Sequence, residues 1–272
     1  MTLPGLRLEG INGRACPKGS FINGVYGKLY HHFGPQHWWP ARTPLEVIVG
    51  AILTQNTNWG NVEKALVNLR NKKALSAKAL YRLSHKNLSE LIRPAGYFNV
   101  KAARIKNFLD YFFKKYDGQI ALMKEMGVSV LRAELLSVNG IGPETADSIL
   151  LYALGKRSFV SDAYTKRFLV RHNMVDSNGD YHTIKALFEN SLPRKASLYN
   201  EYHALIVQLG KVYCKTRPDC EHCPVRPLQN KQDSQCKKCF RFFKDKEEIY
   251  PIKSGNDGYM LCRQCIGVSR VL

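Results

Sequence analysis

The sequence predicts a mostly helical protein with a small cysteine-bearing module at its C-terminal end. Three observations carry that expectation. Apolar residues recur at helical spacing in most segments between Phe21 and Cys214. The run Asn139-Gly140-Ile141-Gly142-Pro143 makes a tight turn between two such segments, with Pro143 suited to the first turn of the second helix. Two Cys-x2-Cys pairs, Cys236/Cys239 and Cys262/Cys265, lie near the end of the chain. At 272 residues and 44% hydrophobic content there is enough apolar material for a real core. Lys+Arg 41 against Asp+Glu 22 gives a net charge of +19, which favours a polyanionic partner held with salt-sensitive affinity. No run of 18 apolar residues occurs, and MTLPGLRLEGINGRACPKGS lacks a signal-peptide apolar region. A soluble, intracellular chain of the cytoplasm or nucleoid is expected, with no membrane partner and a monomeric state.

Residues 1–20 read as an irregular arm. Tyr26, Leu29, Tyr30 and Phe33 then share one face of a first helix. Gln36-His37-Trp38-Trp39-Pro40 is a loop whose two indoles either stack on an extruded base or cap the core. Thr43 with Glu46 three residues on is a capping-box pattern for the apolar helix Val47–Leu53. That helix breaks at Gln55-Asn56-Thr57, polar groups that need partners. A further helix carries Val62, Ala65, Leu66 and Leu69, and two short helices occupy 72–91. Gly96-Tyr97-Phe98-Asn99 is a turn into a helix whose basic side, Lys101 and Arg104, either meets phosphates or faces solvent. Helical patterns continue through 183–192 and 199–213, and the Pro- and Gln-containing stretch 224–235 reads as a linker.

The hairpin is the informative stretch. Gly140 and Gly142 allow positive φ and leave backbone N–H groups bare at a helix N-terminus, an anion site suited to a nucleic-acid phosphate. The helix from Glu144 to about Leu154 ends at Gly155, and Phe159-Val160 leads to Asp162, which opens another helix with Phe168 and Leu169. Gly140-Ile141-Gly142, Thr145-Ala146 and Asp162 resemble the helix-hairpin-helix, Gly/Pro-rich loop, Asp signature (HhH-GPD) of the DNA glycosylase superfamily that includes endonuclease III. The run Gly140-Ile141-Gly142-Pro143-Glu144-Thr145-Ala146-Asp147, the Trp38-Trp39-Pro40 loop and Arg93-Pro94-Ala95-Gly96-Tyr97-Phe98-Asn99 are most similar to its 3-methyladenine glycosylase branch. That resemblance, over about Trp38 to Lys211, implies a two-lobed helical fold acting on double-stranded DNA that contains damaged bases. It implies base flipping, with Gln55 filling the vacated stack, Asn56 near the pocket, and Trp38, Trp39 and Tyr97 about an alkylated purine. It also implies Asp162 as the carboxylate that stabilises an oxocarbenium-like transition state or activates water. Bifunctional members carry a Lys where this chain has Glu144. A carboxylate cannot form a Schiff base with C1′, so a monofunctional enzyme without AP-lyase activity is expected. Two alternatives stay open: a glycosylase for oxidised pyrimidines or mispaired adenine, and a non-catalytic DNA-binding protein. One departure from the branch is Leu205, where some members have a Lys.

Of eight cysteines, seven follow residue 213, a pattern of metal ligands in a reducing compartment. Cys236, Cys239, Cys262 and Cys265 form two knuckles suited to tetrahedral Zn²⁺, with an interval of β-branched and aromatic residues and a Gly turn, as in a zinc ribbon. Cys214, Cys220 and Cys223 resemble the [4Fe–4S] loop of endonuclease III, but its fourth position is Gln229. Either Cys236 closes a cluster and the zinc site loses a ligand, or the loop is degenerate, or His222 or another ligand completes it. The expected divisions are an arm at 1–20, an HhH-GPD domain at 21–223, a linker at 224–235 and a four-cysteine, zinc-ribbon-like module at 236–272.

Overall fold

The computed structural model describes residues 17–226 together with the strands 249–254 and 257–262. Among the described residues there are twelve α-helices and one two-stranded sheet. The first helix, α1 (Pro17–Phe33), begins four residues earlier than its apolar face suggests. α2 (Pro44–Leu53) is buried along nearly its whole length, as its unbroken apolar run requires. Thr43 caps it by accepting a hydrogen bond from Glu46 N–H at 3.2 Å. The reciprocal half of the capping box is displaced. Glu46 accepts from Arg42 N–H at 3.2 Å rather than from Thr43, and pairs with Arg70 at 2.5 Å.

Next come α3 (Trp59–Asn71), α4 (Ala77–Arg82), α5 (His85–Leu91) and the long α6 (Phe98–Tyr116). Then follow α7 (Ile120–Glu125), α8 (Val128–Ser137) and α9 (Pro143–Ser148). The single helix expected from Glu144 to Leu154 is interrupted: α9 passes into a π-helical turn, Ile149–Ala153. α10 (Ala163–Arg171), α11 (Tyr181–Ser191) and α12 (Ala196–Val212) follow.

Two apolar clusters define two lobes. One gathers α2 through α9 around Ile48, Ile52, Leu69, Phe108 and Phe112. The other joins α1 to α10–α12 around Ile22, Phe159, Phe168, Phe188 and Tyr202. The chain thus opens in the second lobe, builds the first, and returns. The π-helical turn lies at the junction: Leu150 belongs to the first core, Leu151 to the second, and Tyr152 packs against both. No helix among the described residues is long and apolar enough to cross a membrane.

The strands β1 (Ile249–Ser254) and β2 (Asp257–Cys262) pair antiparallel, with Ile249 opposite Cys262 and Ser254 opposite Asp257. They fall between the two cysteine knuckles. Cys236, Cys239 and Cys265, like Gln229 and the arm before residue 17, lie outside the described residues.

Candidate active site

Asp162 is the N-cap of α10. Its Oδ1 accepts from Thr165 N–H at 2.8 Å and from Thr165 Oγ1 at 2.9 Å. Its Oδ2 lies 3.5 Å from His203 Nε2 on α12. Burial alone would raise the Asp162 pKa, but the His203 interaction and the Thr165 hydrogen bonds outweigh it and hold the carboxyl below its usual range. Asp162 therefore stands ionised at neutral pH while facing a cavity of about 580 Å³ between the lobes.

That cavity is walled by the α2–α3 turn (Gln55, Asn56, Thr57), the hairpin (Gly142 to Thr145), Ser148, the α10 start and Tyr181. Glu144 projects into it from the first turn of α9. Its side chain reaches cleft solvent yet is crowded by surrounding protein. This partial desolvation, followed by the nearby Asp162 charge and only partly offset by His203, pushes its pKa up to about 7. An adjoining cavity shares Glu144, Asp162, Ala163 and Tyr181 and adds Lys166 and Asp180. Two carboxyls with pKa values driven apart, in one cleft, form an arrangement suited to split acid–base roles.

Gln55 is tied down. Its Nε2 donates to Gly140 O at 3.0 Å and Thr145 Oγ1 at 2.9 Å, while its Oε1 accepts from Arg104. The α2–α3 turn, α6 and the hairpin are thereby fastened to one another. Gly140 has φ +93°, and a Cβ there would lie 2.2 Å from Arg104 Cγ, so both conformation and space demand glycine. Gly142, at φ −90°, does not need the left-handed freedom expected of it; it is the extended N-cap of α9. Asn56 adopts φ 54° at the cavity rim.

Three other expectations need correction. Lys101 is 1% exposed and cannot meet a phosphate: its Nζ donates to Leu53 O at 2.8 Å and Ala95 O at 2.7 Å, closing the C-terminus of α2. Arg104 is half-buried, and one nitrogen of its guanidinium donates to Gln55. Trp38 and Trp39 are not among the walls of either cavity described above. Trp39 packs on Gly50, Trp59 and Tyr152, and Lys211 lies over Trp38. Tyr97 stands at the start of α6, 72% exposed, and is not among the walls of either cavity.

Among the cavity residues that sequence reasoning missed are Thr145 and Ser148, inside the recognised motif, and Tyr164 and Tyr181. Tyr181 comes from α11, far along the chain, and carried no local signal. The sequence of α6 did carry one for Lys101, which falls on the apolar stripe with Ile105, Phe108 and Phe112.

Cys214, Cys220 and Cys223 border one small cavity with Phe168 and His172. Burial, then the neighbouring Cys214 and Cys220, pushes the Cys223 thiol up to about 11. His222 turns to Asp219 at 3.0 Å rather than toward the thiols. Among the described residues no group of three or more His, Cys, Asp or Glu side chains is placed to hold a metal ion.

A family model for "HhH-GPD superfamily base excision DNA repair protein" matches residues 49–194, more than half of the chain, hairpin and Asp162 included. The chain belongs to the HhH-GPD superfamily. A protein of Methanocaldococcus jannaschii named as a DNA repair glycosylase is 46% identical over 210 residues, covering 77% of this chain and 96% of its own. The crystal structure of the H. pylori 3-methyladenine DNA glycosylase bound to 1,N6-ethenoadenine is 28% identical, with a TM-score of 0.59 over 71% of this chain and 97% of that one. A non-covalent endonuclease III–DNA complex, at 20% identity, shares the fold with a TM-score of 0.68 over 78% and 95% of the two chains. This HhH-GPD chain is thus a DNA glycosylase of the base excision repair family, and the mostly helical, two-lobed expectation holds.

Proposed function

We propose that this glycosylase is monofunctional and hydrolyses the N-glycosidic bond of alkylated purines such as 3-methyladenine, flipped out of duplex DNA into the inter-lobe cleft. The observation that carries this reading is the pair of carboxyls, Asp162 and Glu144, on one cavity whose walls, among the described residues, include no lysine. Glu144 stands where a Schiff-base amine would be needed. Lys156 is spent on Lys124 O and Met126 O, at 2.5 and 2.7 Å. Lys166 lines the adjoining cavity.

An alkylated purine carries its own positive charge and leaves without prior protonation. The proton chemistry that remains is removal of a proton from the attacking water. Glu144, with a pKa of about 7, is matched to that task. Asp162, ionised, stabilises the positive charge that develops at C1′ as the C1′–N bond breaks. Water then adds to C1′, Glu144 takes its proton, and the departing base keeps the bonding electron pair. Gln55 and Asn56, on the rim, are placed to meet the gap left in the duplex. The hairpin turn at Gly140–Gly142 approaches the phosphate backbone. Exposed Tyr97 offers an aromatic face to a neighbouring base. A 28%-identical relative solved with a modified adenine bound supports the reading of the cleft as a base-binding site.

The test is chromatographic identification of bases released from dimethyl-sulfate-treated duplex DNA by the purified chain. Release of 3-methyladenine, lost in Asp162→Asn, supports the reading; no methylated purine released here, with oxidised pyrimidine or mispaired adenine released from duplexes that carry them, contradicts the substrate class. Tight binding of damaged duplex without release of any base contradicts the enzyme.

The same proposal includes one Zn²⁺ on Cys236, Cys239, Cys262 and Cys265, supported by the knuckle spacing and the hairpin that falls between the pairs. Elemental analysis of the full chain should give zinc that is lost in Cys239→Ser. Zinc retained in that variant contradicts the assignment.

A further inference from the structure

Two polar side chains next to Asp162 have no part in the mechanism so far. Tyr152 belongs to the π-helical turn, His203 to α12, and neither lines the cavities that Asp162 faces. Tyr152 Oη lies 2.5 Å from His203 Nδ1. The other nitrogen of that ring, Nε2, is buried, has no hydrogen-bond partner, and stands 3.5 Å from Asp162 Oδ2. A buried imidazole nitrogen left so is costly and calls for a reason.

The chemistry of the three groups fixes the direction of the chain. Tyr152 is half-buried between the two cores. Its burial, followed by the charges of Asp162 and Glu144, keeps the phenol protonated, so it donates and Nδ1 accepts. A neutral ring with Nδ1 as acceptor carries its one N–H on Nε2, facing Oδ2. Oδ1 is already engaged by both donors of Thr165. The carboxylate is therefore gripped from α10 on one oxygen and faced by α12 on the other. Catalytic contacts are commonly long before substrate binds and tighten in the complex.

The backbone is shaped for this. Leu154 N–H reaches back five residues to Ile149 O at 3.2 Å, and the extra residue in the turn sets the facing of Tyr152. Its ring packs on Trp39, with centroids 5.1 Å apart, as well as reaching His203. Such single π-turns often mark functional sites. This one sits where the two cores meet, so the placing of Asp162 is tied to both lobes.

We propose that Tyr152 and His203 are a positioning pair for Asp162: Tyr152 locks the imidazole as its Nε2–H tautomer, and that N–H fixes the rotation of the carboxylate toward the cleft. The proposal rests on Asp162 being the catalytic carboxylate. The groups facing His203 are Tyr152, Asp162 and, across the cleft, Glu144.

The experiment measures single-turnover base release from dimethyl-sulfate-treated duplex DNA, binding to duplex with an abasic-site analogue, and ¹⁵N spectra of histidine-labelled protein. His203→Ala should slow release about 100-fold while binding is retained, the scale expected of a misplaced catalytic group. His203→Gln, which keeps an N–H donor at the Nε2 position, should recover most of that loss. Tyr152→Phe should give a smaller loss. The His203 signals, assigned by their absence in His203→Gln, should show Nδ1 unprotonated and Nε2 protonated, and Tyr152→Phe should disturb that pattern.

Equal losses in His203→Ala and His203→Gln, or a ring protonated on Nδ1 alone, would overturn the proposal in favour of packing. If Asp162→Asn abolishes release but His203→Ala leaves it unchanged, the positioning pair alone fails. If Asp162→Asn itself releases base normally, the catalytic reading beneath it fails too.

Discussion

Asp147 and Asp162 stand fifteen positions apart in the same stretch of chain, both enclosed, and they make opposite use of enclosure. Asp147 is saturated. Arg132 donates to it from Nε and Nη2 at 2.9 and 3.0 Å, Ser158 from Oγ at 2.5 Å, Tyr181 from its hydroxyl at 2.9 Å, and Lys185 Nζ lies 3.3 Å away. Its side chain is fully buried. Burial would raise its pKa, but Arg132, Lys185 and Ser158 reverse that and lower it. These partners come from α8, the loop before Phe159, and α11. Asp147 is thus a fastening across the hairpin region, with no lone pair to spare for a substrate. Asp162 is gripped on one oxygen and faced by a single imidazole on the other, and it opens onto the cleft. Enclosure alone does not distinguish a structural carboxylate from a reactive one. The unfilled valence and the direction in which it points do.

Exchanging the two carboxyls for amides should separate these roles most sharply. Asp162→Asn keeps a good N-cap, so the fold should survive. Base release should fall by about 1,000-fold or more, because the charge that meets the oxocarbenium is gone. Single-turnover kinetics on damaged duplex, with circular dichroism as a control, checks both halves. Asp147→Asn should do the reverse. It leaves Arg132 and Lys185 facing a neutral group and should cost about 3–5 kcal/mol in denaturant titration, while the folded fraction keeps its rate.

The pH dependence follows with a definite sign. Asp147 and Asp162 have lowered pKa values in the folded protein. Their contribution to stability is present above the ordinary carboxylate range and is lost as pH falls through the folded values.

Glu144 tests the other side of the cleft. As a base of pKa about 7 it must be unprotonated to act, so the rate should climb as pH rises through that value. Glu144→Gln should flatten the climb and lower the plateau by about 100-fold. A profile unchanged in Glu144→Gln would remove Glu144 from the chemistry.

The smallest effect belongs to the Gln55 brace. Arg104→Ala should cost about 1 kcal/mol of stability. Gly140→Ala should cost more, because it adds left-handed strain to a clash with the Arg104 stem. Thermal melts order the two.

Much of this was legible in the sequence. Two-fold glycine spacing, a proline at the first helical position and an acid at a fixed distance are local signals. They place the hairpin and Asp162 without any tertiary information. Glu144 was readable as a departure at one position. The rest depended on contacts between distant segments. Tyr181 enters the cleft from α11, and the Gln55 brace joins residues 49 and 85 positions apart. Tyr152 faces His203 because of a π-turn that leaves no periodic trace in the residues themselves. For Lys101, a place on the apolar stripe of α6 outweighs the charge, and the side chain is buried. Carbonyls at the ends of buried segments, Leu53 and Ala95, can satisfy an ammonium as well as a phosphate can.

The central claim, hydrolysis by two carboxyls without an amine, has a direct test. A duplex bearing one alkylated purine would be incubated with the full chain, then scored for strand breaks with and without hot alkali, with a borohydride trap in parallel. Breaks should appear only after alkali, with no trapped adduct, and Glu144→Lys should gain an adduct. Breaks without alkali together with an adduct in the unsubstituted protein, lost in Lys166→Ala, would show an amine at work from the adjoining cavity and contradict the account.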